Sequence, residues 1–356
     1  MKKVLKVILI VLLAIVLIIV GYVVYVFASY SRIEDNLALT PENSGSFDDS
    51  LATGTEYSIM TYNIGFGAYL QDYSFFMDGG ESSWARSEEL LVENIGNIGT
   101  FVDSFEPDFV YLQEVDINGT RTYHVNEFEM LKERIGAGSF VFSMNYHSAF
   151  LFWPVNEPHG ANQSGIMTYS RDVAIESALR RSLPISTSLK KIVDLDRCYS
   201  VSRIPVENGR YLCLYNLHLS AYGTDASVQE GQRNMLFEDM SRDVQAGNYV
   251  ICGGDFNHNL RQGAVSDNIP AWATPFPYDQ LPDGMRAGYV NAASTDMDTD
   301  TCRNSNEPYQ PGHTFTVMAD GFLVSDNVSV DLYRTVDAEF LYSDHNPVYM
   351  TFELQE

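Results

Sequence analysis

Six places in this 356-residue chain put a chemically capable polar residue at the edge of an apolar run. Asn63 follows SIMTY, Glu114 follows FVYLQ, and His218 follows CLYNL. Asp255 and Asn257 follow VICGG, Asp344 and His345 precede NPVYMTF, and Asp320 opens DGFLVS. Carboxylates supply hard oxygen ligands and accept protons, imidazoles exchange protons near neutral pH, and carboxamides donate without carrying charge. Held at strand ends, such groups sit on rigid elements and can converge. One strand-end Asp or Asn is ordinarily a turn residue. Six places with this mix are not explained by turns.

The elements that must position them follow from hydrophobic periodicity. Strands are expected at Tyr57–Asn63, Asp108–Glu114, Ser164–Ser170, Tyr199–Pro205, Arg210–His218, Tyr249–Gly253, Asp320–Ser325, Ser329–Thr335 and Pro347–Leu354. Val206-Glu-Asn-Gly209 between two of these signals a hairpin, because Asn-Gly readily adopts positive φ. Helices are expected at Trp84–Phe105, with Leu91, Ile95, Ile98, Val102 and Phe105 on one face, and at Ser227–Ala246. The second opens on a capping box, Ser227 and Glu230, and closes on Gly247-Asn248. Hairpins mixed with helical crossovers predict an α/β sandwich of mixed sheets flanked by helices, not a purely parallel fold.

TYNIG, LQEVD, NLHLSAYG, GGDFNHN, DGFLVS and SDHNPV occur in this order. Their sequence and spacing resemble the endonuclease/exonuclease/phosphatase superfamily over about residues 55–356, with GDFN and SDHNPV the specific pair. That group includes DNase I-like nucleases, sphingomyelinases, inositol polyphosphate 5-phosphatases and deadenylases. The resemblance implies a four-layer α/β sandwich built of two mixed sheets flanked by helices, with a metal-dependent site that hydrolyses phosphoesters. Glu114 is then the principal ligand of Mg²⁺ (or Mn²⁺), with Asn63 and Asp344 close to the ion or its waters. Asp255 resembles the base that activates water, and Asn257 a donor to a phosphoryl oxygen. His345, oriented by Asp320, holds phosphate or assists proton transfer, and His218 protonates a leaving group or binds phosphate. Arg121 resembles an arginine that contacts phosphate. A histidine at position 218 is absent from exonuclease III-like abasic-site endonucleases, which turns the reading away from base-excision repair.

Composition adds location and limits partners. Residues 7–31 carry no charge, and 7–28 are almost entirely apolar. Twenty-two helical residues at ~1.5 Å each cover about 33 Å, enough for a hydrocarbon core of about 30 Å. Lys2, Lys3 and Lys6 on the N-terminal flank predict a cytoplasmic N-terminus and an extracytoplasmic remainder. The run exceeds the length of a secretory h-region, which favours a retained anchor over a cleaved signal. Residues 1–31 are therefore expected to form a cytoplasmic stub and transmembrane helix, 32–54 a flexible linker, and 55–356 one catalytic domain. Of the 22 bases, four lie in residues 1–33, so the rest carries 18 against 47 acids, a net of −29. That charge disfavours a stable nucleic-acid partner, whose binding rests on Lys and Arg.

Weaker features are weighed alongside. Four cysteines without CxxC or zinc spacing suggest buried thiols. Asp296, Asp298, Asp300 and Glu307 imitate a calcium loop but lack its glycine, so a solvated acidic loop is expected. Ala149–Val155, rich in aromatics, is expected to continue into the sheet, with a lipid-contacting loop as the lesser reading. The functional expectation is a membrane-anchored, extracytoplasmic Mg²⁺-dependent phosphodiesterase. Its substrate could be lipid, nucleic acid or small molecule. A nuclease, a sphingomyelinase-like phosphodiesterase, a phosphomonoesterase and a non-catalytic binding module are the alternatives.

Overall fold

Alternation along four central strands decides the architecture. In the computed structural model, which describes residues 2–192, 194–220, 226–263, 270 and 273–356, each of these strands serves two cores. Along Glu56–Asn63, Ile59 turns into one core while Met60 and Tyr62 turn into another. Phe109 and Tyr111 oppose Val110 and Leu112 in the same way on Phe109–Gly119. Leu212 and Leu214 oppose Cys213 and Tyr215 on Tyr211–His218, and Tyr249 and Ile251 oppose Val250 and Cys252 on Tyr249–Asp255. A period of two with both faces apolar belongs to strands covered on both sides.

Seven strands form one sheet, in the order Leu37–Leu39, Ser177–Ser182, Cys198–Pro205, Tyr211–His218, Tyr249–Asp255, Asp320–Ser325, Met285–Ala287. Eight form the other: Ser294–Asp296, Val328–Thr335, Val348–Leu354, Glu56–Asn63, Phe109–Gly119, Asn162–Ser170, Gly138–His147, Glu42–Ser44. One core fills the space between the sheets. A second lies under α2 (Glu88–Asp103) and α3 (Glu127–Ile135), and a third under α4 (Ala226–Gln245). Helix, sheet, sheet, helix is the expected four-layer sandwich. Ahead of it runs α1, Lys2–Ser29, long and apolar enough to cross a bilayer and with no buried residue.

Two crossovers set the site. α2 joins the parallel pair Glu56–Asn63 and Phe109–Gly119, with Asn63 opposite Gln113. It starts at Glu88, not Trp84, because the Ser87 hydroxyl caps it by accepting the Leu90 N–H. α4 joins the parallel pair Tyr211–His218 and Tyr249–Asp255, with His218 opposite Asp255. Asp320 pairs with Asp255 from the antiparallel side. Parallel strands end at one edge, where ligands of open α/β sheets collect. α4 begins one residue before the expected cap at Ser227, and residues 221–225, including Tyr222-Gly223 of the NLHLSAYG motif, lie outside the described residues.

All nine expected strands are present, and the structure adds the ten-residue strand Gly138–His147, Ser177–Ser182, several shorter ones and α3. It also corrects some expectations. Residues 32–54 are not a free linker: Leu37–Leu39 pairs with Ser177–Ser182, and Glu42–Ser44 with Gly138–His147. The Arg32 guanidinium and the Ile33 N–H also donate to Asp196. Edge strands are held by backbone bonds, which a polar composition does not reveal. The aromatic run does not continue into the sheet either; Leu151 makes one bridge to Gly160, while Phe152 and Trp153 stand 57% and 70% exposed. The Val206–Gly209 hairpin forms with Gly209 at φ +80°. All four cysteines are free and buried. In the acidic stretch Asp300 pairs with Arg261 and accepts from Thr316, and Cys302–Arg303 is strand, so its C-terminal part is not the solvated loop expected.

Candidate active site

Local irregularities aim the predicted residues at one cavity of about 480 Å³, whose lining includes Glu114, His218, Asp255, Asn257, Asp344 and His345. Glu114 sits in a bulge, where the register against Asn162–Ser170 shifts between Leu112 and Val115, and it takes φ +56°. Such a bulge re-aims a side chain, and positive φ in a non-glycine residue is strain kept at functional positions. Asn257 has φ +52°, and its N–H donates to Asp255 Oδ1 at 2.8 Å. The Ser343 hydroxyl donates to the Asn63 carbonyl at 2.8 Å, tying the SDHN loop to the first central strand. Gly65, at φ +54°, completes this corner: a Cβ there would meet Tyr69 at 2.7 Å and Asp344 Oδ1 at 3.1 Å.

Asn63 bridges two carboxylates, its Nδ2 donating to Glu114 Oε1 and to Asp255 Oδ2, each at 3.1 Å. Both imidazoles face Asp255 Oδ2, His218 Nε2 at 3.5 Å and His345 Nε2 at 3.9 Å. His345 Nδ1 bonds Asp320 Oδ2 at 2.7 Å. Burial works to lower the His345 pKa, but Asp320 and Cys302 outweigh it and hold the ring well above its usual value, as imidazolium. His218 goes the other way. Burial, then the charges of Arg197 and His345, keep it well below its usual range, hence neutral. Asp255 is pushed up to about 6 by burial and then by Asp320, against the pull of His345. Two imidazoles with opposite charge preferences flanking one raised carboxyl make an acid–base set.

The donor sets can be tested against a cation. Burial first, then the Asp344 carboxylate, pushes Glu114 up to about 7; burial likewise raises Asp344. A bulged glutamate facing a second carboxylate, with a carboxamide beside it, is an oxygen-rich set whose repulsion a hard cation would relieve. These residues fit Mg²⁺ or Mn²⁺. Asp255, Asp320 and His345 also bring three donor atoms within 4.8 Å of one another. There the imidazole already spends Nδ1 on Asp320 and is protonated, so this trio is better suited to moving protons.

Arg121, for which the resemblance implied a phosphate contact, has a neighbouring carboxylate on one edge. It lines the cavity but is gripped by Asp116, with Nε to Oδ2 at 2.9 Å and Nη2 to Oδ1 at 2.7 Å, and it lies 3.7 Å over the Phe66 ring. That edge is taken. Asp116→Ala would leave the guanidinium buried and unpaired, and should cost about 3–5 kcal/mol in a denaturant titration. Sequence reasoning missed Ser343, which carries no signal beyond its place in SDHN. It also missed Arg197, an arginine before a strand in an ordinary polar context.

A scan against protein-family models finds no match, and a search of curated proteins finds none. Solved structures do match. An endonuclease/exonuclease/phosphatase family protein from Leptotrichia buccalis C-1013-b is 17% identical with TM-score 0.54, over 84% of this chain and 100% of that one. Its counterpart from Bacteroides vulgatus is 17% identical with TM-score 0.54, over 85% and 100%. That from Beutenbergia cavernae DSM 12333 is 16% identical with TM-score 0.56, over 84% and 72%. The chain has the fold of these endonuclease/exonuclease/phosphatase proteins, as its motifs led one to expect.

Proposed function

We propose that this chain is a membrane-anchored, extracytoplasmic, Mg²⁺-dependent phosphodiesterase. The observation that carries the reading is the raised Asp255 carboxyl between a neutral and a charged imidazole, in the cavity that also holds Glu114 and Asp344. Glu114 and Asp344, with Asn63 beside them, would hold the ion. When bound, it neutralises phosphoryl oxygens and makes a water nucleophilic near neutral pH. Asp255 accepts the proton of the attacking water at Oδ2, its Oδ1 being fixed by the Asn257 N–H. Asn257 already gives one amide proton to the Leu219 carbonyl and has a second for a phosphoryl oxygen. His345, kept protonated by Asp320, holds the phosphate and has a proton to give. His218, neutral, serves as a hydrogen-bonding partner of the phosphate, not as the acid for the leaving group.

Metal affinity should depend on pH with a sign fixed by Glu114. Its carboxyl, at about 7, must lose its proton to ligate. Affinity for Mg²⁺ should therefore fall by about 30-fold between pH 8 and pH 5.5 on Glu114 alone. Calorimetric titration at the two pH values checks this. Equal affinities would remove Glu114 from the ligand set.

The anchor reading rests on α1 and on the lysines in its first turns. Alkaline extraction should leave the full chain in the membrane pellet, and protease added outside spheroplasts should digest residues 55–356. Release by alkali would mean the helix is cleaved or does not span.

A further inference from the structure

Arg197 lines the cavity with only 6% of its surface exposed, and its Nε and Nη1 have no hydrogen-bond partner among the described residues. Among the described residues no side-chain ion pair holds it either. Of the other deeply buried arginines, Arg121 is held by Asp116, Arg180 by the Met144 and Asp196 carbonyls, and Arg303 by the Asn304 and Leu70 carbonyls through its terminal nitrogens, its Nε being unmet. A buried guanidinium with unmet donors is costly, so its presence at a cavity calls for an anionic ligand. Three more unmet groups belong to residues lining the same cavity, Ser164 Oγ, His218 Nδ1 and Arg303 Nε. We infer that Arg197, together with the Ser164 hydroxyl, binds the non-bridging oxygens of the substrate's phosphate, the task that the sequence suggested for Arg121. Planar guanidinium donors match phosphate oxygens in pairs, which a lysine cannot reproduce. The inference rests on the phosphoesterase reading for its substrate, but its test does not need turnover.

The probe is inorganic phosphate, titrated calorimetrically into the detergent-solubilised full chain without metal. Arg197→Gln should weaken phosphate binding at least about tenfold, Arg197→Lys should recover part of it, and Ser164→Ala should weaken it less. Mg²⁺ affinity should stay unchanged in all three. Because no described residue meets Arg197 Nε or Nη1, metal-free Arg197→Gln should melt no lower than the parent and should gain less from added phosphate. With Mg²⁺, the KM for bis-p-nitrophenyl phosphate should rise and kcat/KM fall about 100-fold. Unchanged phosphate affinity in Arg197→Gln, no phosphate binding by the parent, or a lowered melting temperature would each overturn the assignment. A parent that binds phosphate through Arg197 but hydrolyses nothing would overturn the phosphodiesterase reading instead.

Discussion

Replacing Asp255 by Asn should lower kcat by about 10²–10⁴-fold while leaving Mg²⁺ affinity within a factor of a few. The substitution keeps the shape and keeps an oxygen for the Asn257 N–H. What it removes is the proton acceptor at Oδ2, where Asn63, His218 and His345 converge. An amide nitrogen there would oppose Asn63 Nδ2, a loss of one hydrogen bond worth about 1 kcal/mol. Relief of a buried charge offsets that loss, so the fold should hold. Circular dichroism and a melting curve separate this outcome from unfolding. Asp255→Ala and His345→Ala should also abolish turnover. An Asp255→Asn variant with parental kcat would remove the carboxylate from proton transfer.

Glu114→Gln should abolish both Mg²⁺ binding and hydrolysis, yet stabilise the metal-free protein at pH 8. The sign follows from the raised pKa of about 7. A carboxyl raised in the fold contributes stability that is complete below its unfolded value and lost as pH rises through the folded one. At pH 8 the parent therefore carries a buried charge penalty on the order of 2–3 kcal/mol, which Gln lacks. Denaturant titration of the two metal-free proteins should show the variant ahead at pH 8 and level with the parent near pH 4.5. With saturating Mg²⁺ only the parent should gain stability. A variant less stable at pH 8 would mean that Glu114 is held by the fold rather than for a ligand.

The fold was legible where chain geometry leaves a mark on composition. Strands such as Phe109–Gly119 and Tyr249–Asp255 serve two cores and so appear as unbroken apolar runs, with their polar ends at one edge. Leu37–Leu39 and Glu42–Ser44 left no such mark, because edge strands of three residues are held by backbone bonds and are too short to show a period of two. The bulge that turns Glu114 inward depends on its neighbour strand and cannot be seen in LQEVD alone. Arg121 shows what a motif leaves out: its position matched, but the hold of Asp116 on its Nε and Nη2 is visible only in three dimensions. Arg197 shows the converse, since only the absence of a partner in three dimensions sets it apart. Phe152 and Trp153 read as buried because their types usually are, whereas here both are exposed, and Phe152 meets Tyr22 of α1 edge-on.

The most direct test is hydrolysis of bis-p-nitrophenyl phosphate by the detergent-solubilised full chain, with Mg²⁺, with EDTA, and with Mg²⁺ restored. The account predicts turnover with Mg²⁺, loss with EDTA, recovery on restoration, and at least about a hundredfold lower turnover with Mg²⁺ for Asp255→Asn. Turnover that persists in EDTA, or that stays at the parental rate in Asp255→Asn, would contradict it.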